Sequence, residues 1–132
     1  MLLAPTRPRP SWQVHLALAR APMLPTIWSN CLTGWLLAGG GSWATLLQLA
    51  LGITCVFLGG AYLNDAFDAE HDRQFRKERP VPSGAIGIDD VWRWGFGWLG
   101  AGTLLLVFLS NACGALASLL LFSVLLYDAV HK

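Results

Sequence analysis

Two long stretches of this chain hold no Asp, Glu, Lys, Arg or His: residues 21–64 and residues 94–127. Each exceeds the roughly 20 residues that cross the hydrocarbon core of a bilayer. Each is interrupted once near its middle, by Gly39-Gly40-Gly41-Ser42 and by Ser110-Asn111. The pattern predicts two helices per stretch, joined by a tight uncharged turn. The expected helices run from about Pro25 to Ala38, from Trp43 through Leu63 and on to Asp72, from an N-cap at Asp89 to Leu109, and from Ala112 to Tyr127. A polar loop at about 65–90 separates the two pairs. Pro5, Pro8 and Pro10 discourage regular structure at the start, and Ser11–Arg20 reads as a short amphipathic helix at the membrane surface. The fold class is therefore all-α: a multi-pass transmembrane helical bundle of four spans, with residues 1–20 as a leader and 21–132 as the membrane domain.

Composition agrees. Of 132 residues, 55% are hydrophobic and only 13% charged, with a mean hydropathy of +0.50; soluble domains carry about 25% charged residues. A soluble chain this small needs more polar side chains to cover its surface. The net charge of +1 selects no partner, and no nucleic acid is expected. The placement of the charges is more informative. Arg7, Arg9 and Arg20 lie in the leader, Arg73, Arg76, Lys77, Arg79 and Arg93 around the central loop, and Lys132 near the C-terminus, which together are all nine Lys and Arg residues. The two opposite turns have none. By the positive-inside rule the leader, loop and C-terminus face the cytoplasm, in the cell (inner) membrane. Trp12, Trp43, Trp92 and Trp94 fall at expected helix ends, as an interfacial aromatic belt requires, while Trp28, Trp35 and Trp98 are deeper and read as packing. Cys31, Cys55 and Cys113 lie in apolar stretches without a CxxC partner and read as small buried residues.

The candidate chemistry is concentrated in Asn64-Asp65-Ala66-Phe67-Asp68-Ala69-Glu70-His71-Asp72, where the second helix leaves the membrane. At roughly 100° per residue, Asn64, Asp65, Asp68 and Asp72 share one helical face, and Glu70 points away. Carboxylates on one face repel each other unless something cationic sits among them. Hard oxygen donors without thiols suit Mg²⁺, which is normally completed by water and substrate phosphate oxygens. Ionisable groups directly after a long apolar run default to function. The basic run Arg73, Arg76, Lys77 and Arg79 follows, part of it ordinary positive-inside charge and part a candidate diphosphate clamp. Arg79-Pro80-Val81-Pro82-Ser83-Gly84 reads as a rigid turn beside the carboxylates.

The segments "NDAFDAEHD" and "ERPVPSG" resemble the UbiA superfamily of intramembrane prenyltransferases. That family's first acidic motif, NDxxDxxxD, is matched by Asn64, Asp65, Asp68 and Asp72, and its RPxxSG-like turn by Arg79, Pro80, Ser83 and Gly84. "LARAPMLPTIWSNCLTGWLLAG" is similar to the family's first helix, with Arg20 and Asn30 at positions that tend to face the cavity. "LLYDAVHK" is similar to the end of its fourth helix, where a Tyr and a Lys border the diphosphate. Tyr127 matches; at the YxxxK spacing stands His131, with Lys132 one residue later. The resemblance implies Asn64, Asp65, Asp68 and Asp72 as metal ligands, Asp68 and Asp72 chief among them and catalytic. It implies Arg20, Arg76, Lys77, Arg79 and Lys132 as the diphosphate-binding set, with Asn30 and Tyr127 lining the cavity. The family's second DxxxD has no counterpart after Asp72, so the chain reads as a fragment, a truncated product or half of a split gene product.

The implied activity is Mg-dependent transfer of a polyprenyl group from its diphosphate to a small-molecule acceptor, in many cases an aromatic ring. Membrane lipid is the surroundings. A soluble isoprenyl diphosphate synthase would not carry four spans, and the DGxxAR signature of CDP-alcohol phosphotransferases is missing. The remaining alternative is a non-catalytic, lipid-binding membrane subunit derived from the same family.

Overall fold

The computed structural model describes residues 11–130, and these contain six α-helices and no strand. They are α1 (Ser11–Leu18), α2 (Leu24–Leu37), α3 (Trp43–Phe67), α4 (Ala69–Phe75), α5 (Ile88–Leu109) and α6 (Asn111–Val130), with a 3₁₀ turn at Ala21–Met23 before α2. Arg7, Arg9, His131 and Lys132 lie outside the described residues.

Two helices, α3 and α6, are long and apolar enough to cross a membrane. At about 1.5 Å per residue, the 25 residues of α3 reach roughly 37 Å. The 14 residues of α2 reach only about 21 Å, short of a roughly 30 Å core. The 22 residues of α5 have the length, but their first turn carries Asp89 and Asp90.

The turns follow local chemistry. Gly39, Gly40 and Gly41 all have positive φ, at 93°, 75° and 142°, so the chain reverses between α2 and α3 without side chains that would resist those angles. Ser42 then caps α3, its side chain accepting from the Thr45 amide at 3.1 Å. One extended residue, Ser110, joins α5 to α6, and its hydroxyl accepts from the Cys113 amide at 3.1 Å. Three boundaries differ from expectation, one of them that of the last helix, which continues past Tyr127 to Val130. The second helix breaks at Asp68 and resumes as α4. The third begins at Ile88 with Gly87 as N-cap, which leaves Asp89 in the first turn. Acids there still favour the positive end of the helix dipole.

α3 and α5 form the centre of the bundle, antiparallel and in backbone contact. A Cβ at Gly102 would lie 2.7 Å from both the Gly52 carbonyl oxygen and the Val56 amide nitrogen. One at Gly59 would lie 2.8 Å from the Gly95 carbonyl oxygen. Around this seam Val56, Leu63, Leu99 and Leu106 pack with Ala117 of α6. At the loop end a second cluster joins Val14 and Leu18 of α1 to Tyr62, Ala66, Ala69, Val81 and Val91. The first short helix is thus anchored in the bundle through two buried residues, and His15 Nδ1 sits 2.7 Å from the Tyr62 hydroxyl.

Candidate functional site

The acidic segment lies where α3 gives way to α4, and four separate pieces of chain meet there. Asp65 comes from the last turns of α3 and Asp72 from α4; both are buried, at 7% and 2% exposure. Carboxylates taken out of water need partners. Arg79 supplies one, its Nη1 lying 3.2 Å from Asp65 Oδ1 and 3.4 Å from Asp72 Oδ2. Arg20, at the junction of α1 and the 3₁₀ turn, adds its Nη2 3.5 Å from the same Asp65 oxygen.

The turn that delivers Arg79 is closed by its own hydrogen bonds. The Ser83 amide donates to the Arg79 carbonyl at 3.0 Å, Gly84 to Val81 at 3.1 Å and Ala85 to Pro80 at 3.0 Å. Gly84 sits at φ 74°, in the left-handed region that favours glycine. Val81 is buried in the loop-end cluster and pins the turn to the bundle.

Asn64 and Asp68 form a second pair. The Asn64 side-chain amide donates to Asp68 Oδ2 at 3.2 Å. Asn64 also lines a cavity of about 440 Å³. Its walls are apolar, including Ile27, Ile53, Phe57, Leu99 and Val124, and Arg20, Asn64, Tyr127 and Asp128 bring its polar groups. The arrangement can take an amphipathic molecule, with a charged head by Arg20 and Asn64 and an apolar body along the helices.

The expected face is therefore divided. Asp65 and Asp72 are paired with arginine, and Asn64 with Asp68. Among the described residues no three His, Cys, Asp or Glu side chains gather into a self-sufficient metal cage. The donors nonetheless suit magnesium. Asn64 and Asp68 could offer hard oxygens beside the cavity, and Mg²⁺ binds through one or two carboxylates while water and phosphate oxygens fill the remaining positions.

Of the basic residues expected here, Arg20 and Arg79 join the cluster. Arg76 and Lys77 are exposed, and among the described residues the ion pairs of Asp65 and Asp72 are with Arg20 and Arg79. Tyr127 lines the cavity; Asn30 is exposed and is not among its lining residues. Glu70 points away as expected, paired with Arg73 at 3.2 Å on the surface. Asp128 was not singled out from sequence, yet it is 3% exposed and lines the cavity. The rule that drew attention to Asn64, a polar group at the end of a long apolar run, applies to it equally.

The sequence model of the UbiA prenyltransferase family matches residues 23–132. A digeranylgeranylglyceryl phosphate synthase of Methanothrix thermoacetophila is 34% identical over 103 residues, covering 76% of this chain and 39% of the relative. Its counterpart from Ignicoccus hospitalis is 32% identical over 107 residues, 81% of this chain and 35% of that protein. A chloroplastic chlorophyll synthase of Oryza sativa subsp. japonica is 31% identical over 105 residues, 71% and 28%. The chain thus spans well under half the length of these relatives, and no solved structure matches it. With the match running from the start of α2 through α6, across the whole acidic segment and its turn, the chain belongs to the UbiA prenyltransferase family.

Proposed function

We propose that this chain carries the first acidic site of a membrane prenyltransferase, one that moves a polyprenyl group from its diphosphate to a small-molecule acceptor. The observation that carries the reading is the cavity beside Arg20 and Asn64, with charge and amide oxygen at one place and apolar helix faces along the rest. The prenyl tail lies along Ile27, Ile53, Phe57 and Leu99, where water is excluded from the allylic cation. The diphosphate lies at Arg20, whose guanidinium matches phosphate geometry and stabilises charge that grows as the allylic C–O bond breaks. Asn64, Asp65, Asp68 and Asp72 form the acidic end of the site, where Asn64 on the cavity wall and Asp68 bonded to it would hold magnesium. When bound there, magnesium supplies neutralisation of the diphosphate as a leaving group. Arg76 and Lys77 add positive charge at the rim, and the family pattern adds Lys132, outside the described residues, to the diphosphate set. Tyr127 stands on the cavity wall, and Asn30 on the neighbouring face of α2.

The same reading places four spans in the inner membrane, with α2 and α5 completing their crossings through flanking residues and tilt, and with the site toward the cytoplasm. It is tested by calorimetry on the detergent-solubilised chain with geranylgeranyl diphosphate, with and without Mg²⁺. Saturable, magnesium-dependent binding is expected. Equal binding of the free prenol, or indifference to magnesium, would refute the reading and favour a lipid-binding subunit. Radiolabelled prenyl transfer to a panel of acceptors by the protein extended to the length of its relatives then tests the activity.

A further inference from the structure

We infer that Asp65 and Asp72 serve to position arginine and not to bind metal: the ionic series Asp72–Arg79–Asp65–Arg20 aims the Arg20 guanidinium at the head of the substrate. The inference rests on the prenyl-diphosphate reading and divides the labour within it.

The geometry supplies the series link by link. Asp72 Oδ2 holds Arg79 at 3.4 Å, Arg79 holds Asp65 Oδ1 at 3.2 Å, and that same oxygen holds Arg20 at 3.5 Å. Two carboxylates face two guanidiniums, so the series is neutral as a whole, which is the condition under which buried carboxylates persist. An oxygen already shared by two arginines is poorly placed to serve a metal as well. Asn64 and Asp68, joined to each other, are the remaining members of the acidic face.

The carboxylates of the series are buried and its guanidiniums are open, Arg20 most of all. The side chains of Asp72 and Asp65 are 3% and 9% exposed, that of Arg79 29%, and that of Arg20 45%. Of the two arginines, only Arg20 lines the cavity. The buried carboxylates are thus structural, and the most open guanidinium, that of Arg20, faces the ligand. Arg20 also adopts φ 48° and ψ 45°, a left-handed conformation disfavoured for a residue with a Cβ. Its backbone is held there by the Arg20 amide donating to Ala17 at 3.2 Å and its carbonyl accepting from Met23 at 2.9 Å. Such a conformation lasts only where the surroundings over-determine it, and it recurs at ligand clamps. From this junction the side chain reaches Asp65.

The test is binding of inorganic diphosphate to the detergent-solubilised chain, with Mn²⁺ bound in the complex read by electron paramagnetic resonance. Arg20→Ala and Asp65→Asn should each weaken diphosphate about tenfold or more, the scale of one charge-assisted hydrogen bond. The double variant should be no worse than the weaker single, because both act through one guanidinium. The Mn²⁺ signal should survive in both and be lost in Asp68→Asn. If Asp65→Asn does not fold, the Asp65→Asn/Arg79→Gln pair, which removes one charge of each sign, carries the same comparison. Additive losses, or loss of Mn²⁺ in Asp65→Asn with Arg20→Ala unaffected, overturn the inference while leaving the diphosphate reading intact. Failure of the unaltered chain to bind diphosphate overturns both.

Discussion

Replacing Gly102 by alanine should loosen the bundle at its centre. The new Cβ would sit 2.7 Å from the Gly52 carbonyl oxygen and the Val56 amide nitrogen, both of them backbone. Rotating a side chain relieves neither contact. α3 and α5 must part by roughly 0.7 Å to bring 2.7 Å to an ordinary 3.4 Å, and the Leu63, Leu99 and Leu106 packing beside the seam is forfeited in part. Overpacking of this kind costs about 1–3 kcal/mol. Gly100, on the same helix, has nothing within 4 Å of its would-be Cβ. Alanine gains about 1 kcal/mol over glycine in a helix at either place, so the difference between Gly102→Ala and Gly100→Ala isolates the steric term at about 1–3 kcal/mol. Gly52→Ala should fall between them, since its nearest obstacles are Leu106 side-chain atoms at 2.7 and 2.8 Å, which can move. Unfolding free energies from sodium dodecyl sulfate titration in mixed micelles measure all three. If Gly102→Ala and Gly100→Ala unfold together, the helices do not touch backbone to backbone and the seam is misread.

Three further outcomes follow from the site and topology. Gly84→Val forces a β-branched residue into φ 74° and opens the turn that carries Arg79, so diphosphate affinity in calorimetry should fall while Mn²⁺ binding persists; wild-type behaviour would reduce the turn to a linker. Asp68→Asn should abolish magnesium-dependent prenyl-diphosphate binding, whereas Glu70→Gln should change it less than twofold, since its surface pair with Arg73 is worth about 0–1 kcal/mol; a damaging Glu70→Gln would place the site on the wrong face. In intact cells, cysteine at Ser83 should resist an impermeant thiol reagent and cysteine at Ala44 should react, and the opposite labelling would invert the topology.

Much of the fold was legible because its signals are local. Uncharged stretches, the three glycines and the Ser110 turn each act within a few residues, and the helix ends beside those turns fall within a residue of the expected bounds; the break at Asp68, the start at Ile88 and the continuation to Val130 do not. Asp89 misled by two positions because an acid favours the first turn of a helix as well as its cap. The docking of α1 was less visible. Val14 and Leu18 are four apart, as any amphipathic surface helix would have them, and only Tyr62, Ala66 and Val91 on other helices decide that they are buried.

The site shows the same boundary between local and distant information. Helical periodicity set Asn64, Asp65, Asp68 and Asp72 on one face and left Glu70 out, and it needed nothing beyond the spacing. What each carboxylate meets is another matter. Arg79 reaches Asp65 from 14 residues away along the chain and Arg20 from 45, and no period in the sequence reports either distance. The break at Asp68 sharpens the difference, because a carboxylate at a helix junction and one inside a helix no longer share the environment that equal spacing implies. A motif of four oxygen-bearing residues can therefore be read as a unit from sequence and still be two devices in space. Asn64, bonded to Asp68, lines the cavity, while Asp65 and Asp72 are buried and paired with Arg79.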